Sequence, residues 1–199
     1  MASRLKKGQR QEQIVAGAMR HFARHGFRGC STRAVARELG ISETLIFRHF
    51  PSKDALYRAI IRQRIRDVGD GLLPKAQARA RDDRGVLASI ADTAIRNTER
   101  DPSFMRLLFH SALEGHPLAS RFQAQRIQPT SRFLSDYIRL RIREGAFRRG
   151  LDPVLAARAF HGMVFNHCLT QHLFPGPRPF LRSRVVAAFV DLALRGMRR

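Results

Sequence analysis

Residues Ser31 to Lys53 read STRAVARELGISETLIFRHFPSK, two short capped helices written around a glycine. Ser31 or Thr32 can accept a hydrogen bond from the unpaired N–H groups of a following helical turn, and Gly40 can end that helix in a left-handed conformation, so the first helix is expected at about 33 to 39. Ser42 offers a second N-cap. Glu43 stands in the first turn after it, where the positive end of the helix dipole favours an acid, and the second helix is expected at about 43 to 49.

Ala36, Leu39, Ile41, Leu45 or Ile46, and Phe50 supply the apolar groups that lock two helices across so short a turn, as a helix-turn-helix over about 31 to 50 requires. Arg33, Glu43, Thr44 and Arg48 fall outside that apolar set. In such a unit the N-terminal residues of the second helix reach base edges in the major groove. Arg48 can pair bidentately with guanine, Thr44 can touch a thymine methyl, and Glu43 can accept from cytosine or repel phosphate. An ordinary pair of amphipathic helices would carry similar caps, so the surrounding residues have to decide between the two readings.

Those residues are Ile14, Ala18, Phe22 and Gly26, then Thr32, Val35, Ala36, Leu39, Gly40, Ile41, Ser42, Phe47, His49, Phe50, Ser52, Lys53 and Leu56. Through them the segment from about 10 to 60 resembles the DNA-binding domain of TetR-family transcriptional regulators. The resemblance implies that Thr32 and Arg33 touch the DNA backbone and at times a base, and that Glu43, Thr44 and Arg48 lie at or near base edges. It implies phosphate contacts at Phe47, His49 and Lys53. Two positions depart from the family pattern: Leu45 replaces a common hydroxyl residue and Phe47 a tyrosine. Without the phenol, Phe47 has nothing to donate to a phosphate and can only pack. The resulting assignment is Arg33, Thr44 and Arg48 for reading, with Thr32, His49 and Lys53 for gripping.

The 199-residue chain carries 37 Lys and Arg against 16 Asp and Glu, a formal net charge of +21. Such an excess favours a polyanionic partner, chiefly nucleic acid. The arginines run through the whole chain, as at Arg62, Arg79, Arg84 and Arg195, so the motif carries more weight than the total. The N-terminal arm, about residues 1 to 9, is better placed: Arg4, Lys6 and Lys7, with Arg10 behind them, suit phosphates or the minor groove, against the plain alternative of a solvated tail. Two cysteines, Cys30 and Cys168, form no close-spaced ligand or redox motif, which fits a reducing cytoplasm. No apolar run approaches the roughly 20 residues that span a bilayer, and no signal-peptide core follows the basic start, so no membrane partner is expected.

The remaining pattern is helical throughout, and the chain is expected to be all-α. A first helix at about 10 to 25 supports the reading unit through Ile14, Ala18 and Phe22. A fourth, capped by Ser52, runs from Lys53 to about Val68, where Gly69, Gly71 and Pro74 end it and mark a boundary. This divides the chain into a DNA-binding domain at about 10 to 68 and an effector-binding and dimerisation domain at about 69 to 199. Further helices are expected at about 83 to 100 with Asp83 as cap, and at about 102 to 114 with Asp101 as cap and Pro102 at the first helical position. A segment from Pro117 to about Glu144 contains Pro129, which must kink or split it.

Asp152 and Pro153 open a helix at about 154 to 174 that is apolar around most of its circumference, and a last helix at about 180 to 196 is similar. Two such helices need cover on all sides. The economical solution is a two-fold homodimer in which they form a four-helix bundle, as TetR resemblance also implies, and which would demand a palindromic double-stranded DNA operator.

Phe104, Met105, Leu108 and Phe109 recur at helical spacing, and Phe133, Tyr137, Phe160, Met163 and Phe165 lie on helices that could face them. Read plainly these are core. The resemblance implies an effector pocket among the C-terminal helices, and apolar walls with a few polar tips, here Tyr137, His161, Asn166 and His167, suit one. Few acids line it, which favours an apolar or anionic small-molecule effector. His161, Cys168 and His172 share one helical face at a spacing zinc can use, but ordinary packing accounts for them and no metal or cofactor is assigned.

The expected function is an effector-responsive DNA-binding regulator, most simply a repressor, with an activator or an effector-independent DNA binder as alternatives. By resemblance, effector binding moves the helix from Lys53 to Val68 like a lever and spoils the spacing of the reading helices. An enzyme is the remote alternative, since no Gly-rich phosphate loop, nucleophile elbow or metalloprotease motif is present.

Overall fold

The computed structural model describes residues 7–68, 73–174 and 180–198, and every regular element among them is helical. In chain order these are α1 (Lys7–His25), α2 (Thr32–Leu39), α3 (Glu43–His49), α4 (Lys53–Val68), α5 (Lys75–Arg79), α6 (Asp83–Arg100), α7 (Ser103–Leu113), α8 (Pro117–Phe122), α9 (Gln128–Arg143), α10 (Pro153–Leu173) and α11 (Arg182–Met197). Arg4 and Lys6 of the basic arm, and the helix-ending Gly69 and Gly71, lie outside the described residues.

The chain forms two compact units, one of residues 1–67 with Pro102–Gln123, the other of Val68–Asp101 with Ala124–Arg199. In the first, Ile14, Ala18 and Phe22 of α1 are fully buried, together with Val35, Ile46, Leu56, Tyr57, Ile60 and Leu107. Each large apolar side chain so buried contributes about 1.5–3 kcal/mol, enough for tertiary packing to hold helices as short as α2 and α3 that would not persist alone. Leu107 belongs to α7, and α7 packs on α1. The expected domain at about 69 to 199 is therefore interrupted: residues 102–123 fold with the reading helices because Leu107 completes their core.

In the second unit α6 packs against α10 and α11, and α9 against α10. Val86, Leu87, Ile90, Leu134, Ile138, Phe160, Val164, Val190 and Leu194 are buried there. One expected cap is replaced by its neighbour. Asp82, not Asp83, caps α6, its Oδ1 accepting from the Gly85 N–H at 2.8 Å, while Asp83 turns into the unit to meet Arg141 and Tyr137. Asp101 is extended (φ −154°, ψ 91°) and Pro102 already has helical dihedrals (φ −70°, ψ −15°), the conformations expected of a residue before a helix and of a proline at its first position, and α7 follows from Ser103. Pro129 splits its segment as its missing N–H requires. The chain widens into a π-helical turn, Gln123–Ile127, and restarts as α9 with the proline in its first turn.

Candidate nucleic-acid interface

The caps at the head of the reading unit form as their residue types dictate. Ser31 Oγ accepts from the Ala34 N–H at 3.1 Å, Ser42 Oγ from the Leu45 N–H at 3.2 Å and Ser52 Oγ from the Ala55 N–H at 3.0 Å. Gly40 takes φ 64°, and the Ile41 N–H then bonds back to the Ala36 carbonyl at 3.0 Å, closing α2 and aiming the chain into α3. Ile46 and Phe50 enter the core from α3, and this leaves Thr44, Phe47 and Arg48 exposed on its other side, with Arg33 exposed on α2. Glu43 and His49 are half-buried. Of the two departures from family pattern, Leu45 is half-buried and Phe47 presents an exposed ring with no polar group.

Thr32 is placed differently from a free phosphate-gripping hydroxyl. It is buried, and its Oγ1 donates to Glu43 Oε1 at 2.6 Å, so its only side-chain proton is committed across the turn. Lys53 sits at the head of α4 with Nζ 4.3 Å from the centroid of the Phe27 ring, a cation–π contact that steadies the ammonium while leaving its donors available.

Two braces that local sequence patterns do not reveal position this face. Glu38 of α2 meets His21 Nδ1 and Arg24 Nη2 of α1, both at 2.5 Å. The hydrogen bonds from Arg24 first, then His21, hold the Glu38 carboxyl below the usual range. Glu114, just past α7, accepts from the backbone N–H groups of Phe27 at 2.9 Å and Arg28 at 3.3 Å. Beside it, the His116 ring packs 4.4 Å from Phe27 and 4.7 Å from Tyr57, with Nε2 3.4 Å from Asp54 Oδ1. Burial pushes the His116 pKa down, against the opposing pull of Asp54.

The expected effector residues divide between the two units. Phe104 and Leu108 pack against the core of the first unit, Phe104 meeting Phe122 edge-on at 5.0 Å; Met105 and Phe109 are half-buried on the same helix. In the second unit Phe160 is buried, while Phe133, Met163, His161 and His167 are half-buried. Asn166 and Phe165 are exposed. Tyr137 is not a free polar tip: its hydroxyl donates to Asp83 Oδ1 at 2.7 Å, and burial, with that bond, raises its pKa. His161 Nδ1 lies 2.8 Å from the Ala157 carbonyl one turn back, and no hydrogen-bond partner for its buried Nε2 exists among the described residues. Burial lowers the His161 pKa and raises that of the Cys168 thiol. Among the described residues no three His, Cys, Asp or Glu groups converge as metal ligands, and no helix is long and apolar enough to cross a membrane.

Residues 86–197 match the family of AefR-like transcriptional repressors, C-terminal domain, over more than half of the chain, and residues 14–60 match that of bacterial regulatory proteins, tetR family. The chain belongs to the TetR family of transcriptional regulators. Members of the TetR family are DNA-binding regulators rather than enzymes, and they dimerise. The HTH-type transcriptional repressor Rv1474c of Mycobacterium tuberculosis is 26% identical over 190 residues, covering 96% of this chain and 94% of its own length. The nucleoid occlusion factor SlmA of a Marinomonas species is 26% identical over 153 residues, 75% of this chain and 74% of that protein. Among solved structures, the TetR-family regulator PfmR of Thermus thermophilus superposes with a TM-score of 0.72 at 23% identity, covering 94% of this chain and 99% of PfmR. The C-terminal match begins at residue 86, yet residues 102–123 within it fold with the TetR reading helices.

Proposed function

We propose that this TetR-family protein is a cytoplasmic homodimeric repressor that holds a palindromic operator and is released by a small apolar or anionic effector. The observation that carries the reading is the exposed polar face of α3, with Thr44 and Arg48 outward and Ile46 and Phe50 inward, set beside Arg33 on α2. Likeness to a repressor along nearly the whole chain supports the direction of regulation. Arg33, Thr44 and Arg48 read bases, and His49 and Lys53 hold phosphates. Phe47 packs against the sugar-phosphate surface without donating.

Arg48→Ala should relax base preference at one operator position, at a cost of about 1–3 kcal/mol. Lys53→Ala should weaken binding to all DNA alike and reduce the slope of log affinity against log salt by about 1. Titrations of labelled duplexes at several salt concentrations separate the two. A non-specific nucleoid binder, the reading favoured by the +21 charge, would show the salt effect in both variants and a base preference in neither.

Val154, Leu155 and Phe165 of α10 and Leu192 of α11 are large apolar groups at least half exposed. Such a surface suits the two-fold bundle of the proposed dimer. Phe165→Glu with Leu192→Glu should convert the protein to a monomer in sedimentation velocity and abolish high-affinity binding to a palindrome, while a single half-site is still bound weakly. Phe133, Phe160 and Met163, with the unpartnered Nε2 of His161 and the His167 ring, are the proposed effector contacts in the second unit. An effector that binds the non-DNA conformation more tightly, with a coupling of about 1–3 kcal/mol, weakens operator binding roughly 5- to 150-fold.

A further inference from the structure

Three acids of the first unit are used against cations or backbone donors. Glu38 is taken by Arg24 and His21, Asp54 by Arg58 and His116, and Glu114 by two backbone N–H groups. Glu43 is different: it is the first residue of α3, half-buried on the reading surface, and its partner among the described residues is the neutral hydroxyl of Thr32. An open cleft lined by Ser31, Arg33, Arg37, Ile41 and Glu43 adjoins it, yet no basic side chain among the described residues closes an ion pair with the carboxylate. Its charge meets the positive end of the α3 dipole but has no ion-pair partner among the described residues, on a surface that meets a polyanion.

An acid without an ion-pair partner there is repelled by phosphate and favours binding only where the DNA supplies a donor. Phosphates, guanine N7 and O6, and thymine O4 present acceptors only, whereas cytosine N4 presents a donor in the major groove. Adenine N6 also donates, but its neighbouring N7 repels the second carboxylate oxygen. We infer that Glu43, oriented by the Thr32 hydroxyl, is a specificity-determining residue that reads the amino group of a cytosine at one position of each operator half-site. Thr32 fixes Oε1, so the rotamer is chosen before DNA arrives and Oε2 remains available to accept. Thr32 is the positioning residue of the pair: it acts through Glu43 rather than by touching phosphate. The inference rests on the DNA-reading function proposed above and adds the base chemistry to it.

Selection from random duplexes, followed by titration of single-base variants, tests the pair in the full-length protein. The wild type should enrich cytosine at one position per half-site with about tenfold discrimination over the other bases. Glu43→Gln keeps an acceptor for Thr32 but adds an amide donor, and should move that position from cytosine to adenine, whose N6 and N7 suit a glutamine amide. Thr32→Val, matched in shape but lacking the hydroxyl, should flatten the cytosine preference several-fold, and Thr32→Ser should restore it. If Glu43→Gln strengthens binding to every sequence equally with the base profile unchanged, Glu43 only repels phosphate and the inference is overturned. If the wild type enriches no sequence at all, the DNA-reading function itself falls, an outcome distinct from the first.

Discussion

Replacing Asp83 with alanine is expected to destabilise the protein by about 3–5 kcal/mol, because it removes one side of a buried charge pair and leaves the other behind. Asp83 is 6% exposed, and its carboxylate accepts from Arg141 Nε at 2.8 Å, Arg141 Nη2 at 3.3 Å and the Tyr137 hydroxyl at 2.7 Å. Arg141 also reaches Glu144 at 2.6 Å, and Arg81 joins the same carboxylate, so α6 and α9 are tied by one continuous network. The guanidinium pKa of Arg141 is raised, chiefly by its hydrogen bonds to Asp83. Chemical denaturation should show the loss as a lower midpoint with an unchanged slope. The triple replacement Asp83→Leu, Tyr137→Phe and Arg141→Met should cost far less than Asp83→Ala, since no buried polar group is then stranded. Equal losses in the two proteins would mean that the network's charges are not what holds α6 to α9.

Gly26→Ala should have the second large effect, and it should appear in DNA binding as well as stability. Gly26 has φ +70°, a conformation costing an L-residue about 1–2 kcal/mol. A Cβ there would lie 2.2 Å from Glu114 Oε1, within contact that no side chain tolerates. The carboxylate must move, and its bonds to the Phe27 and Arg28 N–H groups go with it, a further loss of about 1.5–3 kcal/mol. Phe27 carries Lys53 on its ring, so loosening it should weaken the phosphate grip on all DNA without altering base preference. Glu114→Ala should reproduce the second part of the loss alone. The double variant should be no worse than Gly26→Ala, because both changes break the same clamp. Additive losses would show instead that the glycine and the carboxylate act independently.

The two predictions sit at opposite ends of what local sequence can reveal. Ser31, Gly40, Ser42 and Ser52 act on backbone groups within a few residues of themselves, so the boundaries of α2, α3 and the start of α4 follow from the order of residue types. The exposed set Arg33, Thr44 and Arg48 follows equally, because helical periodicity sends Ile46 and Phe50 inward. The choice between Asp82 and Asp83 as cap of α6 does not follow. Both can cap, and Arg141, 58 residues away, draws one of them inside. Tyr137 likewise reads as a polar tip for a ligand until Asp83 claims its hydroxyl.

Alone, the sequence determined that this is an all-α chain with a capped helix-turn-helix near its start, since caps, turn and apolar period are interactions of close neighbours. Tertiary structure decided which groups the reading helices can spend on DNA. Thr32 is bound to Glu43 across the turn, and Glu114 grips the α1–α2 turn from 86 and 87 residues further along the chain. It also decided that residues 102–123 fold with the reading helices, because Leu107 completes a core whose other members come from the first 61 residues. Such partnerships depend on which apolar faces meet, and no short-range pattern records that meeting.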